Sequence, residues 1–537
     1  MKIYNNLSIC ALAGLFAFTS CTKEDGMEGG SVAQPFQISV SDRGFQGISD
    51  GRAVDENYKT TFVAGDVVGV YGVAGGQVVE GISNRKFTLN EKGVWELEGN
   101  PIEYDSELFK TITFYAYYPY QDNVAFNPAV EDPFADFVAN WQIAADQGGF
   151  KYTKSDLMTS TSQAEAGRLQ GKVTFTMNHR MALAVFKMPK LVYDFTNGGL
   201  DDYSLDVAPK ELLINDVETT PYYDAASGTY MALVKPETNY SISCTYQGTQ
   251  EKMINPTGSL AGGKAKMYTI KDENNKLDYT LNIGDYLCAD GNLVSVNDGT
   301  VPDNAIGVVC YVGNPEPHVT HPNNYTETND ALYRDYPNCT HGLVLALKNA
   351  RDGQWDGGAF NSTSSTRSPA YCDWLASDEE WNGLLVPCNT EANGALKNDP
   401  ESMFPAFLGY NNTLVMTMCY EGKGPQNSCN NAYTYLMNYR NEVAVPSSVT
   451  PWYIPSVVCW NEVAKSSSVI NKSISKLGED KGEELVSVSS GTAKNHYWTS
   501  TQRNWATQWT HGIDGGRYTQ ASNKGSLAGH FRMMLAF

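Results

Sequence analysis

The sequence predicts a mainly β protein of several domains, with an α+β portion in its second half. Three observations carry this expectation. The chain has 537 residues, more than a single hydrophobic core normally holds. Tyr outnumbers Phe (32 against 20), Gly is frequent at 48, and charged residues make up only 18%, a balance that suits strand-rich exported proteins better than helical bundles. Finally, apolar residues recur at every second position in one segment after another of the first half.

Strand signals begin at Pro35-Phe36-Gln37-Ile38-Ser39-Val40, where Phe36, Ile38 and Val40 alternate with polar partners. A loop over residues 41–60 follows, containing Arg43 and Arg52. In residues 61–71 the pair Gly65-Asp66 punctuates two β-rich runs, a turn signal. Residues 111–118 set Ile112, Phe114 and Ala116 against Thr113, Tyr115 and Tyr117, and residues 172–177 set Val173, Phe175 and Met177 against Thr174 and Thr176. Hairpins and sandwiches follow from such strands. From residue 281 the pattern changes. The runs Ile306-Gly307-Val308-Val309-Cys310-Tyr311-Val312 and His341-Gly342-Leu343-Val344-Leu345-Ala346-Leu347 have the length of buried strands. Residues 432–442 carry Tyr435, Leu436 and Tyr439 at helical spacing, and residues 457–463 follow Pro455-Ser456 as another helix start. The chain then runs to Arg532-Met533-Met534-Leu535-Ala536-Phe537, whose apolar residues predict a terminal strand lodged in a core.

Formal charge is −21 with a pI near 4.8, which argues against nucleic acid as a partner, because a phosphate-binding surface needs clustered Lys and Arg. The first 21 residues bear on the compartment. Lys2 is a positive start, residues 9–18 are apolar, and Phe18-Thr19-Ser20-Cys21 ends in a small residue followed by cysteine. The segment resembles a bacterial lipoprotein signal peptide, which implies cleavage before Cys21, lipidation of its thiol and anchoring in the cell outer membrane. Thr22-Lys23-Glu24-Asp25 resembles the acidic tract that routes Bacteroidetes lipoproteins to the outer surface. Residues 22–34, polar and Gly-rich, read as a tether. No segment has 18 consecutive apolar residues, so no membrane-spanning helix is expected. Eight of the eleven cysteines lie between Cys288 and Cys459; an exported domain permits disulfides among them, and the sequence leaves the pairing open.

Five motifs stand in one order: Phe62-Val63-Ala64-Gly65-Asp66 with Val70-Tyr71; Phe114-Tyr115-Ala116-Tyr117-Tyr118-Pro119-Tyr120; Asp156-Leu157-Met158; Val173-Thr174-Phe175 with residues 179–186; and Ala261-Gly262-Gly263 leading to Tyr268-Thr269-Ile270. Their order over residues 35–275 resembles the fimbrillin family, the pilins of Bacteroidetes type V pili. The resemblance implies two transthyretin-like β-sandwiches, over residues 35–188 and 189–275. It also implies that an arginine-specific protease cuts the loop after the first strand, at Arg52 or alternatively Arg43, and that a neighbouring fimbrillin subunit then fills the uncovered edge near Phe36, Ile38 and Val40 by donor-strand complementation. An added strand supplies main-chain hydrogen bonds along its whole length.

Residues 281–537, with Trp452-Tyr453-Ile454-Pro455-Ser456 and Tyr497-Trp498-Thr499-Ser500-Thr501-Gln502, resemble the C-type-lectin-like fold. Residues 502–523 mix rigid aromatic area with adaptable polar groups, as binding surfaces do. The expected ligand contacts are Trp505, Gln508, Trp509, His511, Asp514, Arg517, Tyr518 and Gln520, facing a host or bacterial surface glycan or protein. C-terminal segments of this shape are similar to the variable regions of diversity-generating retroelement targets.

Other chemistry is mostly declined. His318 and His321, with His341 nearby, sit in a Pro- and Asn-rich stretch that reads as a loop, and no C-x2-C pair is present, so no metal is expected. Glu316-Pro317 is followed by His318 where calcium-dependent lectins have Asn, and Trp460-Asn461-Glu462 falls on an expected helix. Cys419 and Cys429 raise the question of an enzyme on the lectin-like fold, but no catalytic residue set is recognisable, and neither catalysis nor a cofactor is expected. The sequence therefore reads as a pilus tip subunit, an adhesin that accepts a strand while its own terminal strand stays inside a domain. The alternatives are a membrane-anchored lipoprotein that does not polymerise and, from a different class, an enzyme.

Overall fold

In the computed structural model, residues 36–48, 58–102, 111–164, 171–246, 252–254, 257–352, 360, 374–375, 377–386, 401, 404–423, 430–487, 496–503, 507–513, 518–520 and 529–537 are described. The molecule is mostly β and divides into two compact units. Among the described residues, a β unit comprises residues 36–191 and 206–276, and an α+β unit comprises residues 192–205 and 277–537.

The β unit opens with the strand Gln37–Asp42, at one edge of an eight-stranded sheet. It runs parallel to Lys172–His179. Beyond that strand lie Met158–Gln163, Thr113–Tyr118, Val67–Ala74, Arg85–Leu89 and Trp95–Leu97, all antiparallel. Residues 172–177 alternate as the sequence predicts, with Val173, Phe175 and Met177 buried, and the strand carries the alternation on to a buried His179. Phe36, Ile38, Phe87 and Phe114 join Val173 and Phe175 in one core, with the Phe36 ring 5.3 Å from that of Phe114.

Two local departures from simple alternation have clear causes. Residues 62–66 do not extend the strand that begins at Val67, because Asp66 accepts a 2.7 Å hydrogen bond from the Val63 amide and Gly65 takes a positive φ of 95°, closing a turn. Tyr117, expected to face outward, is buried. It lies opposite Gly69, and a Cβ there would stand 2.1 Å from the Tyr117 ring. Only glycine leaves room for that ring.

A second sheet runs in the order Tyr222–Asp224, Thr229–Val234, Ala182–Lys187, Lys264–Thr269, Gln46–Ile48. A third is built on Pro209–Ile214 and Glu237–Tyr246. Ala182, Ala184, Phe186, Ala232 and Val234 of the second pack with Leu212, Ile214, Ile242 and Cys244 of the third, forming a second β core.

In the α+β unit the central strand Ala305–Val312 is flanked by Tyr286–Cys288 and Gly342–Arg351, and Phe531–Ala536 completes that side. The helix Val457–Leu477 covers the central strand. It starts where expected, at Ser456, whose side chain accepts from the Cys459 amide, as an N-cap does. Asn430–Glu442 is the other helix foreseen, and Gly409–Met418 adds a third. Phe531–Ala536 pairs with Gly342–Arg351 and is bridged on its other side between Tyr453 and Met534. Phe537 is fully buried, as its apolar surroundings predict, with its ring 5.6 Å from Tyr203 and 5.9 Å from His341.

Candidate functional site

The opening strand carries the most distinctive chemistry of the β unit. Alternation puts Phe36, Ile38, Val40 and Asp42 on one face. The first two are buried and Val40 is half-buried against the same core. The fourth position is charged. Asp42 Oδ1 lies 3.0 Å and Oδ2 3.1 Å from His179 Nε2. On the other side of the ring, His179 Nδ1 lies 3.0 Å from Asp156 Oδ1 and 2.9 Å from Oδ2. These three side chains are at most 1% exposed. The Phe45 ring stacks on the imidazole at 3.7 Å. Asp42 also accepts backbone hydrogen bonds from Gly44 (2.9 Å) and Thr60 (2.7 Å).

Burial alone lowers the pKa of His179, but Asp156 and then Asp42 more than reverse this and push it up to about 9. The ring is therefore an imidazolium at neutral pH, held by a carboxylate on either side. The two carboxyls respond differently. For Asp42 burial raises the pKa, yet His179 and the amides of Gly44 and Thr60 bring it below the ordinary value. For the fully buried Asp156, desolvation outweighs His179 and the pKa is raised. A buried charge persists only when paired and hydrogen-bonded, and here the pairing ties the end of the opening strand to the interior. Sequence reasoning noted His179 and Asp156 within motifs but missed this triad. The available signal was that Asp42 continues the two-residue spacing of Phe36, Ile38 and Val40.

Of the two processing candidates, Arg43 is exposed directly after the strand, its amide donating to Met177 O at 3.0 Å. Arg52 lies outside the described residues, as does Cys21.

The expected recognition face requires correction in part. Gln508, Trp509 and His511 are buried at 0%, 3% and 0% exposure. Alternation places half of a strand's residues outward only when one of its faces meets solvent; all four residues of Gln508–His511 are inside. The helix Val457–Leu477 lies against this strand, and Asn461 Oδ1 is 2.8 Å from His511 Nε2. Gln508 Nε2 donates to Thr499 O at 2.9 Å. Burial pushes His511 down to about 4, so it is neutral. Tyr518 and Gln520 lie on the next strand, opposite His511 and Trp509. Trp505, Asp514 and Arg517 lie outside the described residues.

The other candidates are placed in structural roles. His318 belongs to a short helix, Pro317–Thr320, rather than a loop, with Nδ1 2.8 Å from Asp330 Oδ2. His321 Nδ1 is 3.1 Å from Thr320 Oγ1. His341 is buried among the rings of Phe195, Tyr203 and Phe537, and burial keeps it neutral. Glu316 is buried and accepts from Asn314 at 3.0 Å. Trp460 stacks on Tyr497 at 4.3 Å, on the helix as expected. Among the described residues, Asp352, Glu483 and His530 place ligand-type atoms within 4.8 Å of one another. The Asn349 amide already donates there, to Glu483 Oε1 at 2.6 Å and Asp352 Oδ1 at 3.3 Å. Cys244, Cys288, Cys310, Cys339 and Cys459 are buried thiols, and burial raises the pKa of each. That is the character of packing cysteines rather than nucleophiles. Cys419 is buried too, and Cys429 lies outside the described residues. No helix among the described residues is long and apolar enough to cross a membrane.

Comparison with known proteins matches this architecture to one family. The fimbrillin-like family model matches residues 51–300. A protein of Bacteroides ovatus named "Putative fimbrium tip subunit Fim1C" is 32% identical over 531 residues, 94% of each chain. The crystal structure of a fimbrial protein from Bacteroides ovatus ATCC 8483 aligns over 94% of this chain and all of that one, at 29% identity and a TM-score of 0.51. The chain belongs to the fimbrillin-like family.

Proposed function

We propose that this protein is a fimbrial tip subunit. Its β unit accepts a strand from the neighbouring fimbrillin subunit, and its α+β unit, which we read as C-type-lectin-like, binds a glycan or protein on a host or bacterial surface. The observation that carries the reading is the asymmetry between two strands. Among the described residues, Gln37–Asp42 is an edge strand paired along one side only, to Lys172–His179. Phe531–Ala536 is engaged on both sides inside its own unit. The first can be replaced by another chain's strand, while the second cannot be lent without unfolding the unit that holds it. The relative's name, borne at 32% identity over nearly the full length, supports the tip assignment. Before assembly the protein is anchored in the outer membrane through lipid on Cys21. Cleavage at Arg52, or at Arg43, then frees the opening strand and moves the protein to the fimbrium.

Immunogold electron microscopy of fimbriated cells tests this reading, with label expected at fimbrial ends. Label along shafts refutes the tip role, and label confined to the cell body favours the anchored, non-polymerising lipoprotein. N-terminal sequencing of assembled protein tests the processing step, and a mature start at Cys21 overturns it. A glycan and protein array probed with the full chain tests the ligand class. Because Trp509 is buried, binding is tested with Tyr518→Ala rather than with a variant at Trp509; unchanged binding by Tyr518→Ala removes that residue from the contact set.

A further inference from the structure

We propose that the seat of the opening strand selects an incoming strand by a carboxylate, carried two residues beyond the last of three alternating apolar side chains, in the spacing of Phe36, Ile38, Val40 and Asp42. This rests on the strand-acceptance reading above and specifies the partner's chemistry. The strand now in the seat shows what fits. Its apolar side chains fill one end of the core, a demand that any Val, Ile, Leu or Phe strand could meet.

The fourth position is different, because the body of the β unit supplies a carboxylate receptor there. His179 Nε2 approaches both oxygens of Asp42, at 3.0 and 3.1 Å, and the Thr60 amide donates to Oδ2 at 2.7 Å. Neither donor belongs to the strand. His179 is held from behind by Asp156, which fixes Nε2–H toward the seat, as a carboxylate does for a histidine whose other nitrogen must donate. With a strand in the seat all three side chains are at most 1% exposed, so a seated strand that lacks the carboxylate leaves its donors shielded from bulk water. A strand with Asn at this position offers one neutral acceptor and brings a surplus N–H toward two donors. A strand with Leu or Val leaves both donors unmet. Polar sites of this kind discriminate strongly because their buried groups go unpaired with the wrong ligand.

The test uses the full chain with a specific protease site replacing residues 50–56, cleaved so that the opening segment can exchange. Fluorescein-labelled peptides of the sequence of residues 35–43, with Asp or Asn at the position of Asp42, are titrated at pH 7 and binding is read by anisotropy. The Asp peptide is expected to bind at least ~10-fold more tightly, and in a His179→Gln chain the preference is expected to fall within about twofold. Equal affinity of the two peptides for the native chain overturns the carboxylate rule while leaving strand acceptance standing. Failure of the cleaved chain to exchange its segment for any peptide overturns strand acceptance, and the rule with it. Should His179→Gln fail to fold, the two peptides on the native chain still decide.

Discussion

Replacing Arg532 with Met probes how the α+β unit holds its last strand. Arg532 is 1% exposed, and it sits opposite Asn349 where the pairing of Phe531–Ala536 with Gly342–Arg351 slips register. Its guanidinium mends the slip. Nε donates to Ala346 O at 2.8 Å, and Nη2 donates to the carbonyls of Leu347 and Glu483. Burial lowers its pKa from the ordinary value, with Tyr497 and Glu483 opposing that; arginine nonetheless stays charged in proteins. Met fills similar space and donates nothing, so the carbonyls of Ala346, Leu347 and Glu483 lose charge-assisted partners, while Leu347 O keeps the Glu483 amide at 2.9 Å. Each unmet group costs roughly 1–3 kcal/mol, offset in part because no charge need then be buried. A net loss of about 3–4 kcal/mol follows. With a urea slope of about 3 kcal/mol/M, the midpoint should fall by about 1 M. The readout is tryptophan fluorescence of the full chain during urea unfolding, since Trp452, Trp460 and Trp498 are all buried in this unit. Arg532→Lys should recover only part of the loss, because one ammonium cannot reach carbonyls that a planar fork spans. A midpoint shift for Arg532→Met below about 0.2 M would refute the assignment of Arg532 as the clasp.

The remaining predictions concern other parts of the fold. His179 has a folded pKa of about 9, above its ordinary 6.5, so its contribution is fully present below about pH 6.5 and is lost as pH rises through 9; the total is on the order of 3 kcal/mol. Urea unfolding of the β unit from pH 6 to 10 should show that decline, and His179→Gln should flatten it; a β unit equally stable at both ends would contradict the imidazolium. At the acid end, the lowered pKa of Asp42 means that its support is lost only as pH falls below the ordinary carboxylate range. Gly69→Ala puts a Cβ 2.1 Å from the Tyr117 ring and should cost about 2–3 kcal/mol, measured by thermal unfolding; a change under about 0.5 kcal/mol would show that the ring moves freely. Trp509→Ala empties a buried site and should cost roughly 3–5 kcal/mol. Circular dichroism at rising temperature checks this, and an unchanged midpoint would return Trp509 to the surface.

Much of the architecture was legible because period-2 patterning is a direct image of a half-buried strand. Residues 172–177 follow their sequence pattern residue by residue, and Ser456 marks the start of its helix through its own hydroxyl. The motif order over residues 35–275 likewise pointed to the family that comparison establishes. The recognition face was less legible. The segment around Trp509 mixes aromatic and polar residues, which reads as a surface. Yet polar side chains such as Gln508 and His511 can be buried when partners such as Thr499 and Asn461 meet them, and those partners come from a neighbouring strand and from a helix about fifty residues away.

The sequence by itself determined the strand-rich class, the family and the alternating faces, because each is written in local composition and spacing. Tertiary structure alone decided which polar residues face inward and which charges meet. Asp42, Asp156 and His179 are separated by up to 137 residues in the chain and become one buried cluster only when a parallel strand pairing brings Asp42 beside the end of Lys172–His179. No local pattern encodes that meeting. It arises because buried charge must find its complement, and the fold settles where the complement lies.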